Sequence, residues 1–168
     1  MPPTRPAEER FWEKVNRTDN CWLWTAGTNN RGYGVFYPVH GKHALAHRFV
    51  YELTVRPLGP DEKIDHHHLC PRTCVNPAHL RPVTQKQNLE IRAGAQSNNR
   101  SSGVRGVTWN KRNRKWQAQA KHNRKNYYGG MFPTIAEAEA AAIALRNRLF
   151  THNDADRHDL PHPRAVHR

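Results

Sequence analysis

Apolar and polar positions follow their clearest pattern in the last third of the chain. The segment from Lys115 to Lys121 places Trp or Ala at every second position and a polar residue between them, which is the period of a strand covered on one face. We predict a strand on either side of it, over Val104–Trp109 and Asn126–Phe132. A helix should follow from Thr134 to Phe150, because Thr134-x-x-Glu137 has the form of a capping box and apolar residues then recur at steps of three and four. The pattern predicts a three-stranded antiparallel sheet with one helix on it.

The first half of the chain shows shorter elements. Trp22–Trp24 and Tyr33–Phe36 flank a run rich in Gly and Asn, which predicts a hairpin. A short amphipathic helix is expected over Glu8–Val15. A second helix is expected from about Gln85 to Arg92, after the capping-box pattern Thr84-x-x-Gln87. The fold class predicted for the whole chain is α+β.

A run of small and polar residues separates these two parts. Residues 95–101 contain no large apolar side chain, a composition typical of linkers. We therefore predict a first domain over residues 1–94, the linker at 95–101 and a second domain over 102–150. Residues 151–168 are rich in Pro, His and Arg without periodicity, and we expect a basic, disordered tail there.

The charge of the chain indicates an acidic partner. The formal net charge of the 168 residues is +13, and the stretch between Glu90 and Glu137 holds ten Lys or Arg residues and no acid. Such a face is typical of proteins that bind nucleic acid, with anionic membrane as the second candidate. No apolar run approaches the roughly 20 residues that a membrane span needs, and the N-terminus does not resemble a signal peptide. We expect a cytoplasmic protein in a reducing compartment, as a monomer or a homodimer.

Three cysteines and a histidine suggest a structural zinc site. Cys70, Cys74 and His79 lie close together on a loop that contains proline and few large apolar side chains. They supply three of the four ligands of a tetrahedral zinc, and Cys21, the only other cysteine, is the natural fourth. The alternative is three reduced cysteines that serve only in packing. We favour zinc because little else in the loop would hold it folded.

The same segment resembles a nuclease family. His68-Leu-Cys70, Cys74, Asn76-Pro77, His79-Leu80 and then Asn88 follow the order of the HNH and His-Cys box (ββα-metal) endonucleases of phages and homing elements, and the resemblance covers about Phe11 to Arg92. It implies DNA cleavage with His68 as general base and Asn88 as ligand of a catalytic Mg²⁺ or Mn²⁺. Imidazole has a suitable pKa for activating water, and a hard cation stabilises the charge that develops on the phosphate.

The chain departs from the usual family pattern next to the first cysteine. It has three consecutive histidines before Leu69, and three residues between the two loop cysteines where four are usual. His67 is therefore the second candidate for the base, and Asp65 with His66 could instead supply a metal ligand and a base. Arg48 is a weaker catalytic candidate, since an arginine from the preceding sheet can neutralise the scissile phosphate in related enzymes.

The second domain resembles the DNA-binding domain of the plant ethylene-response factors (Apetala-two type). The resemblance covers Ser102 to Phe150 and implies that the sheet enters the major groove of double-stranded DNA. It points to contacts from the face opposite the helix, while arginines in the turn would hold phosphates. The DNA-binding candidates are Arg105, Thr108, Asn110, Arg112, Arg114, Gln119, Lys121, Asn126 and Tyr128. The core candidates under the helix are Trp116 and Phe132.

The leading interpretation is a metal-dependent DNA endonuclease with a structural Zn²⁺. The runner-up is a DNA-binding regulator whose nuclease fold has lost activity and remains as a zinc-stabilised scaffold. An RNA-binding or ribosome-associated protein would explain the charge and the aromatic residues but not the Cys and His pattern.

Overall fold

The computed structural model describes residues 5–91, 94–95 and 99–156, with the side chain of Ala155 excepted. Its elements are mixed helices and small antiparallel sheets, so the predicted α+β class is confirmed. The described chain divides into two compact units between Gln85 and Lys86. The predicted linker at 95–101 lies ten residues further along, includes the undescribed residues 96–98, and stays a prediction.

The first unit is built from short elements. They are α1 (Ala7–Trp12), β1 (Val15–Arg17), β2 (Trp22–Trp24), β3 (Val35–Val39), β4 (Lys42–Leu45), α2 (Ala46–Thr54), β5 (Lys63–His66) and β6 (Leu80–Val83). The strands form three separate two-stranded antiparallel sheets, β1 with β2, β3 with β4 and β5 with β6. Strands this short have little stability of their own, so the unit depends on its aromatic core and on its loops.

Two predictions for this unit need correction. Val15 does not continue the first helix but begins β1 and pairs with Trp24, in keeping with the preference of β-branched residues for strands. The predicted hairpin is wrong in its pairing, because β2 pairs with β1 while β3 pairs with β4. Between the two segments there is one isolated bridge, Thr28 to Gly34. The turn between β2 and β3 therefore forms, but the two strands pair with β1 and β4 and not with each other.

Phe11 is the centre of the first core. It is fully buried, and the rings of Trp24, Phe36 and Phe49 lie with centroids 5.0–5.2 Å from its own. Gly34 is required beside them, since a Cβ there would stand 2.6 Å from the Trp24 ring. The tight aromatic packing explains why a glycine directly precedes β3.

The second unit contains the regular part of the fold. It holds most of α3 (Gln85–Ile91), the sheet β7 (Val107–Asn110), β8 (Lys115–His122) and β9 (Lys125–Phe132), and α4 (Ile135–Leu149). The predicted three-stranded antiparallel sheet and capped helix are confirmed: the Thr134 side chain accepts from the Glu137 N–H, and the Glu137 side chain accepts in return. The predicted end of α3 at Arg92 lies outside the described residues.

Helix α4 packs on one face of this sheet. Val107 and Ala118 are fully buried against Ala138 and Ala142 of the helix, and Trp116 and Phe132 pack around them as predicted. Gly106, with φ of 80°, allows the chain to approach β8, since a Cβ would lie 2.5 Å from the Gln119 carbonyl oxygen.

Residues 151–156, beyond the predicted end of the second domain, are ordered. Asp154–Asp156 form a 3-10 turn, Asn153 is fully buried, and the Asp156 carboxylate pairs with Arg146. Residues 151–156 therefore belong to the second unit, although their composition is that of a tail. The rest of the predicted tail, 157–168, lies outside the described residues.

Candidate metal centre and candidate nucleic-acid interface

The four predicted zinc ligands come together in the first unit. The Sγ atoms of Cys21, Cys70 and Cys74 and the nearest ring nitrogen of His79 all lie within 4.8 Å of one another. The Sγ of Cys21 is 3.6 Å from that of Cys70, and the His79 Nδ1 lies 3.4–3.7 Å from the three sulfurs. A tetrahedral zinc with bonds of about 2.3 Å to sulfur and 2.0–2.1 Å to nitrogen separates its ligands by about 3.5–3.8 Å. The group could therefore bind zinc.

Backbone hydrogen bonds bring the distant Cys21 to the loop. The N–H of Trp24 donates to the Thr73 carbonyl at 2.9 Å, and the N–H of Val75 donates to the Trp22 carbonyl at 2.7 Å. The buried Asn76 completes the frame: its amide donates to the Asn20 carbonyl at 2.8 Å. The loop thus adds a strand-like edge to β2, and this places Cys21 opposite the other two cysteines.

The contacts among the three thiols shift their pKa values in opposite directions. The hydrogen bond from Cys70 lowers the pKa of the Cys74 thiol to about 5, while the same contact raises the pKa of Cys70 and burial raises that of Cys21. Without a metal the cluster accommodates one thiolate and resists a second, since like charges at this distance repel. A divalent cation would remove that repulsion, because thiolates are the form that ligates metal.

His66 ends β5 and is held by the loop that carries Cys70 and Cys74. Its Nε2 donates to the Cys74 carbonyl at 2.9 Å, and its ring lies 4.7 Å from that of His47 and 5.9 Å from that of Tyr33. Burial lowers the pKa of His66, and burial beside His66 lowers the pKa of His47 to about 3. Both imidazoles are therefore neutral packing partners near pH 7. The sequence did not predict this stack of His47, His66 and Tyr33.

His67 and His68 follow directly and lie side by side. Their ring centroids are 4.4 Å apart. Backbone hydrogen bonds connect this pair to two residues of the Cys and His cluster. The His67 N–H donates to the His79 carbonyl at 2.9 Å, and the Cys70 N–H donates to the His67 carbonyl at 2.8 Å. The Nδ1 of His68 is buried and has no hydrogen-bond partner among the described residues.

The other catalytic candidates occupy three separate elements. Asp65, the candidate cation ligand on β5, forms an ion pair at 3.0 Å with Arg81, its cross-strand partner on β6. Arg48 pairs at 3.3 Å with Glu52 one turn along α2, an exposed contact that fixes neither side chain strongly. Asn88 lies on the part of α3 that belongs to the second unit. The catalytic roles of these three residues and of His68 and His67 stay predictions.

Six of the nine DNA-binding candidates share one face of the second unit. In the register of the three-stranded sheet, Thr108 pairs with Gln117, Gln119 with Tyr128, and Lys121 with Asn126. Cross-strand partners point to the same side, and these positions alternate with the buried Ala118 and Ala120. The face opposite α4, here called the open face, therefore carries these candidates: Thr108, Asn110, Gln119, Lys121, Asn126 and Tyr128.

The open face also carries residues that the prediction left out. Gln117 accepts from the Asn110 amide at 3.2 Å, and Met131 is its partner on β9. Lys115 has the same parity on β8 and is exposed. The alternation along β8 already marked Gln117 and Lys115, so the signal was present in the sequence. Met131 was hidden by the register shift between Ala118 and Gln119.

The three candidate arginines lie in different surroundings. Arg112 and Arg114 are exposed in the turn between β7 and β8, where Arg114 has a φ of 50°. Arg105 instead donates to the backbone carbonyls of Leu89 and Glu90, both at 3.1 Å. Its guanidinium is thus engaged with α3 in this structure, whereas the two turn arginines extend into solvent.

The chain is similar to two proteins of a bacterial virus. No family model matches the chain, and no solved structure does. The chain is similar to Protein 7.7 of Escherichia phage T7, with 39% identity over 74 residues that cover 43% of this chain and 54% of that protein. It is also similar to Protein 2.8 of the same phage, with 35% identity over 83 residues, 48% of this chain and 55% of that protein. The chain spans about half the length of the curated relatives it matches.

None of the helices within residues 5–91, 94–95 and 99–156 has both the length and the apolar character that a membrane span requires.

Proposed function

We propose that the protein is a metal-dependent DNA endonuclease of the HNH type, stabilised by one structural Zn²⁺ and directed to duplex DNA by the open face of its second unit. The observation that carries the proposal is the cluster of Cys21, Cys70, Cys74 and His79 with its hydrogen-bonded connection to the histidine run. A metal at that position would fix the backbone on both sides of His67 and His68. This is the arrangement that a general base needs, since its ring must be held in place.

The reaction is hydrolysis of a phosphodiester. His68 takes the proton of a water molecule, the resulting hydroxide attacks phosphorus, and the bond to the leaving sugar oxygen breaks. Asn88 offers an amide oxygen, a hard ligand of the kind that Mg²⁺ or Mn²⁺ accepts, and the cation when bound would stabilise negative charge on the phosphate. Arg48 could neutralise a further phosphate oxygen through its guanidinium. His67 is the second candidate for the base.

Three observations favour His68 over His66 as the base. His66 uses Nε2 to hold the Cys74 carbonyl and is packed against His47, so its ring has a structural task. Burial also lowers the pKa of His66, which makes it a weaker proton acceptor near pH 7. His68 keeps a buried Nδ1 without a partner among the described residues. A water molecule or a phosphate oxygen would satisfy it.

The open face supports binding of duplex DNA. It combines amide side chains, which can read base edges, with the exposed Lys121 and a basic turn that suits phosphates. The ten Lys and Arg residues between Glu90 and Glu137 supply a field of one sign. The similarity to two phage proteins fits a protein that a phage encodes and that acts on DNA inside a host cell.

The second candidate function is a DNA-binding regulator without catalysis. The observation that favours it is the ion pair of Asp65 with Arg81, which occupies a carboxylate that a catalytic cation could otherwise use. In that case the zinc cluster is a scaffold and the open face performs the whole function.

Incubation with supercoiled plasmid in Mg²⁺, in Mn²⁺ and in EDTA separates the two candidates. The endonuclease should convert the plasmid to nicked or linear DNA only when the cation is present. His68→Ala, purified in parallel, controls for a contaminating host nuclease. If wild-type protein that contains zinc and binds DNA leaves the plasmid intact in both cations, the regulator is the correct assignment.

A further inference from the structure

Helix α3 is too short to be stable alone. It has seven residues, and isolated helices shorter than about 12–15 residues are marginal in water. Its last carbonyl groups also lack partners within the helix. Contacts with its surroundings must therefore determine where its side chains, including Asn88, are held.

Glu90 provides the first of these contacts. Its side chain is 5% exposed, and its Oε2 accepts from the Thr151 N–H at 2.9 Å, from the Thr151 hydroxyl at 3.0 Å and from the His152 N–H at 3.3 Å. Its Oε1 lies 3.3 Å from the Nδ1 of His122 on β8. A carboxylate is costly to bury unless it is paired and hydrogen-bonded; this one is hydrogen-bonded by the segment after α4, while its second oxygen lies against His122 of the sheet and 3.8 Å from the Lys86 Nζ.

Arg105 provides the second contact. Its guanidinium donates to the carbonyls of Leu89 and Glu90 at the end of α3, where the helix dipole is negative, and lies 5.4 Å from the ring centroid of Phe150. Arg146, itself buried, donates to the Arg105 carbonyl at 2.8 Å and fixes the backbone from which Arg105 extends. The core beneath α4 is formed by other residues. These contacts thus hold the helix onto a sheet that has its own core.

We propose that Glu90 and Arg105 are positioning residues that attach the Asn88 helix to the DNA-binding sheet. This inference rests on the proposed function: the sheet that grips DNA then also carries the ligand of the catalytic cation. Asn88 lies two residues before Glu90 on this helix, so loss of the attachment should displace its amide without removing any ligand. Glu90 is not one of the open-face residues, although it lines the same cavity as Gln119 and Lys121, so we expect duplex affinity to change far less than the cleavage rate.

The test compares Glu90→Ala and Glu90→Gln with Glu139→Ala, a control at an exposed glutamate of α4. The full-length proteins are assayed for plasmid cleavage over a Mg²⁺ series, for duplex binding by gel shift and for hydrogen exchange of the α3 amides. A displacement of about 1 Å can cost on the order of 100-fold in rate. We expect Glu90→Ala to lose about that factor and to need more Mg²⁺, with duplex affinity unchanged within about twofold. Glu90→Gln keeps an oxygen acceptor for Thr151 and should recover part of the loss.

Hydrogen exchange separates the failure of this inference from the failure of the proposed function. Exchange of the amides in residues 86–91 should rise in Glu90→Ala, while those of β8 and α4 stay protected. If wild-type protein cleaves DNA and Glu90→Ala matches its rate and Mg²⁺ dependence, the positioning role is overturned. If wild-type protein does not cleave, the proposed function fails, and unchanged exchange of α3 in Glu90→Ala then overturns the attachment as well. Where Glu90→Ala fails to fold, Arg105→Lys is the second variant: it keeps the charge but not the contact with both carbonyls, and it should show the same loss of cleavage rate and the same rise in exchange of the α3 amides.

Discussion

The two units are stabilised in different ways. The first has three separate two-stranded sheets, an aromatic cluster around Phe11 and a group of four metal-ligand side chains. The second has a continuous three-stranded sheet with a capped helix of 15 residues on one face. Small units that cannot build a sufficient regular core often add a metal, and the first unit has a group of side chains that could hold one.

The difference suggests a division of labour. The loop that carries the Cys and His cluster follows two histidines whose rings lie side by side, where a regular strand would point them to opposite faces. A regular sheet does the reverse and presents every second side chain on one flat surface, as the open face does. We expect substitutions in the first unit to affect folding and chemistry, and those on the open face to affect affinity.

The largest expected effect comes from removing one metal ligand. Cys74→Ser should lose zinc and the folded structure of the first unit together, because in such sites the binding free energy contributes about 10–16 kcal/mol to folding. The second unit should remain folded, which hydrogen exchange resolved by segment would show. Elemental analysis gives the zinc content, with Thr73→Ser as the neighbouring control. Correctly folded wild-type protein without zinc would contradict the assignment.

The second effect concerns chemistry without folding. His68→Ala should lower the rate of plasmid cleavage by about 100- to 10,000-fold, the contribution of a general base, while zinc content and gel-shift affinity stay the same. Asn88→Ala should act similarly through loss of the cation ligand. The matched control is His67→Ala, one residue away in the same loop. Wild-type cleavage by His68→Ala together with an inactive His67→Ala would move the base to His67.

The same contrast explains what the sequence could predict. Strand β8 was predicted within a residue because Trp116, Ala118 and Ala120 repeat with the period of two that packing against α4 imposes. The capping box of α4 was found because both of its side chains act locally. The four side chains that could hold a metal were singled out because structural zinc sites use mainly Cys and His. In each case the signal is local or chemical.

What was missed depends on contacts distant in sequence. The bridge of Leu23 with Cys74 joins β2 to a loop 51 residues further along the chain, so no periodicity marks it. The stack of His47 on His66 joins two elements 19 residues apart. Order in residues 151–156 depends on Glu90, which lies 61 residues before Thr151, and on Arg146 in α4. Such contacts follow from tertiary structure and have no local signature.

The third prediction concerns the pH dependence of the first unit. Burial lowers the pKa of His47 from 6.5 to about 3, so the unfolded chain binds a proton between these values that the folded unit refuses. The contribution of neutral His47 to the free energy of unfolding should be fully present above pH 6.5. It should fall as the pH decreases towards 3, by up to about 1.4 kcal/mol per pH unit. His47→Phe should flatten this slope relative to wild type, and His43→Phe, at an exposed histidine, should not. Urea unfolding at pH 7 and pH 5 measures it, and equal slopes in all three proteins would refute the assignment.

The fourth prediction concerns the open face. If about five phosphates are neutralised, the logarithm of the duplex association constant should fall with the logarithm of salt concentration at a slope of about −4 to −5. Lys121→Ala should reduce the magnitude of that slope by about 1. The control is Arg148→Ala, an exposed cation on α4. A slope that changes with Arg148 and not with Lys121 would place the DNA on the helix side of the sheet.

The smallest effect is expected at the N-terminus of α4, where a capping box satisfies free backbone N–H groups. The Thr134 hydroxyl accepts from the Glu137 N–H at 3.3 Å, and Glu137 accepts from the Thr134 N–H at 3.2 Å. Thr134→Ala removes one half of this pair and should cost about 1 kcal/mol of unfolding free energy, while Thr134→Ser, which keeps the hydroxyl, should cost much less. The loss should be confined to the second unit, with zinc content and the exchange of first-unit amides unchanged. Segment-resolved hydrogen exchange in denaturant measures both. Equal destabilisation of the two units would mean that they unfold as one, and the contrast between a metal-held and a sheet-held unit would then not describe their stability.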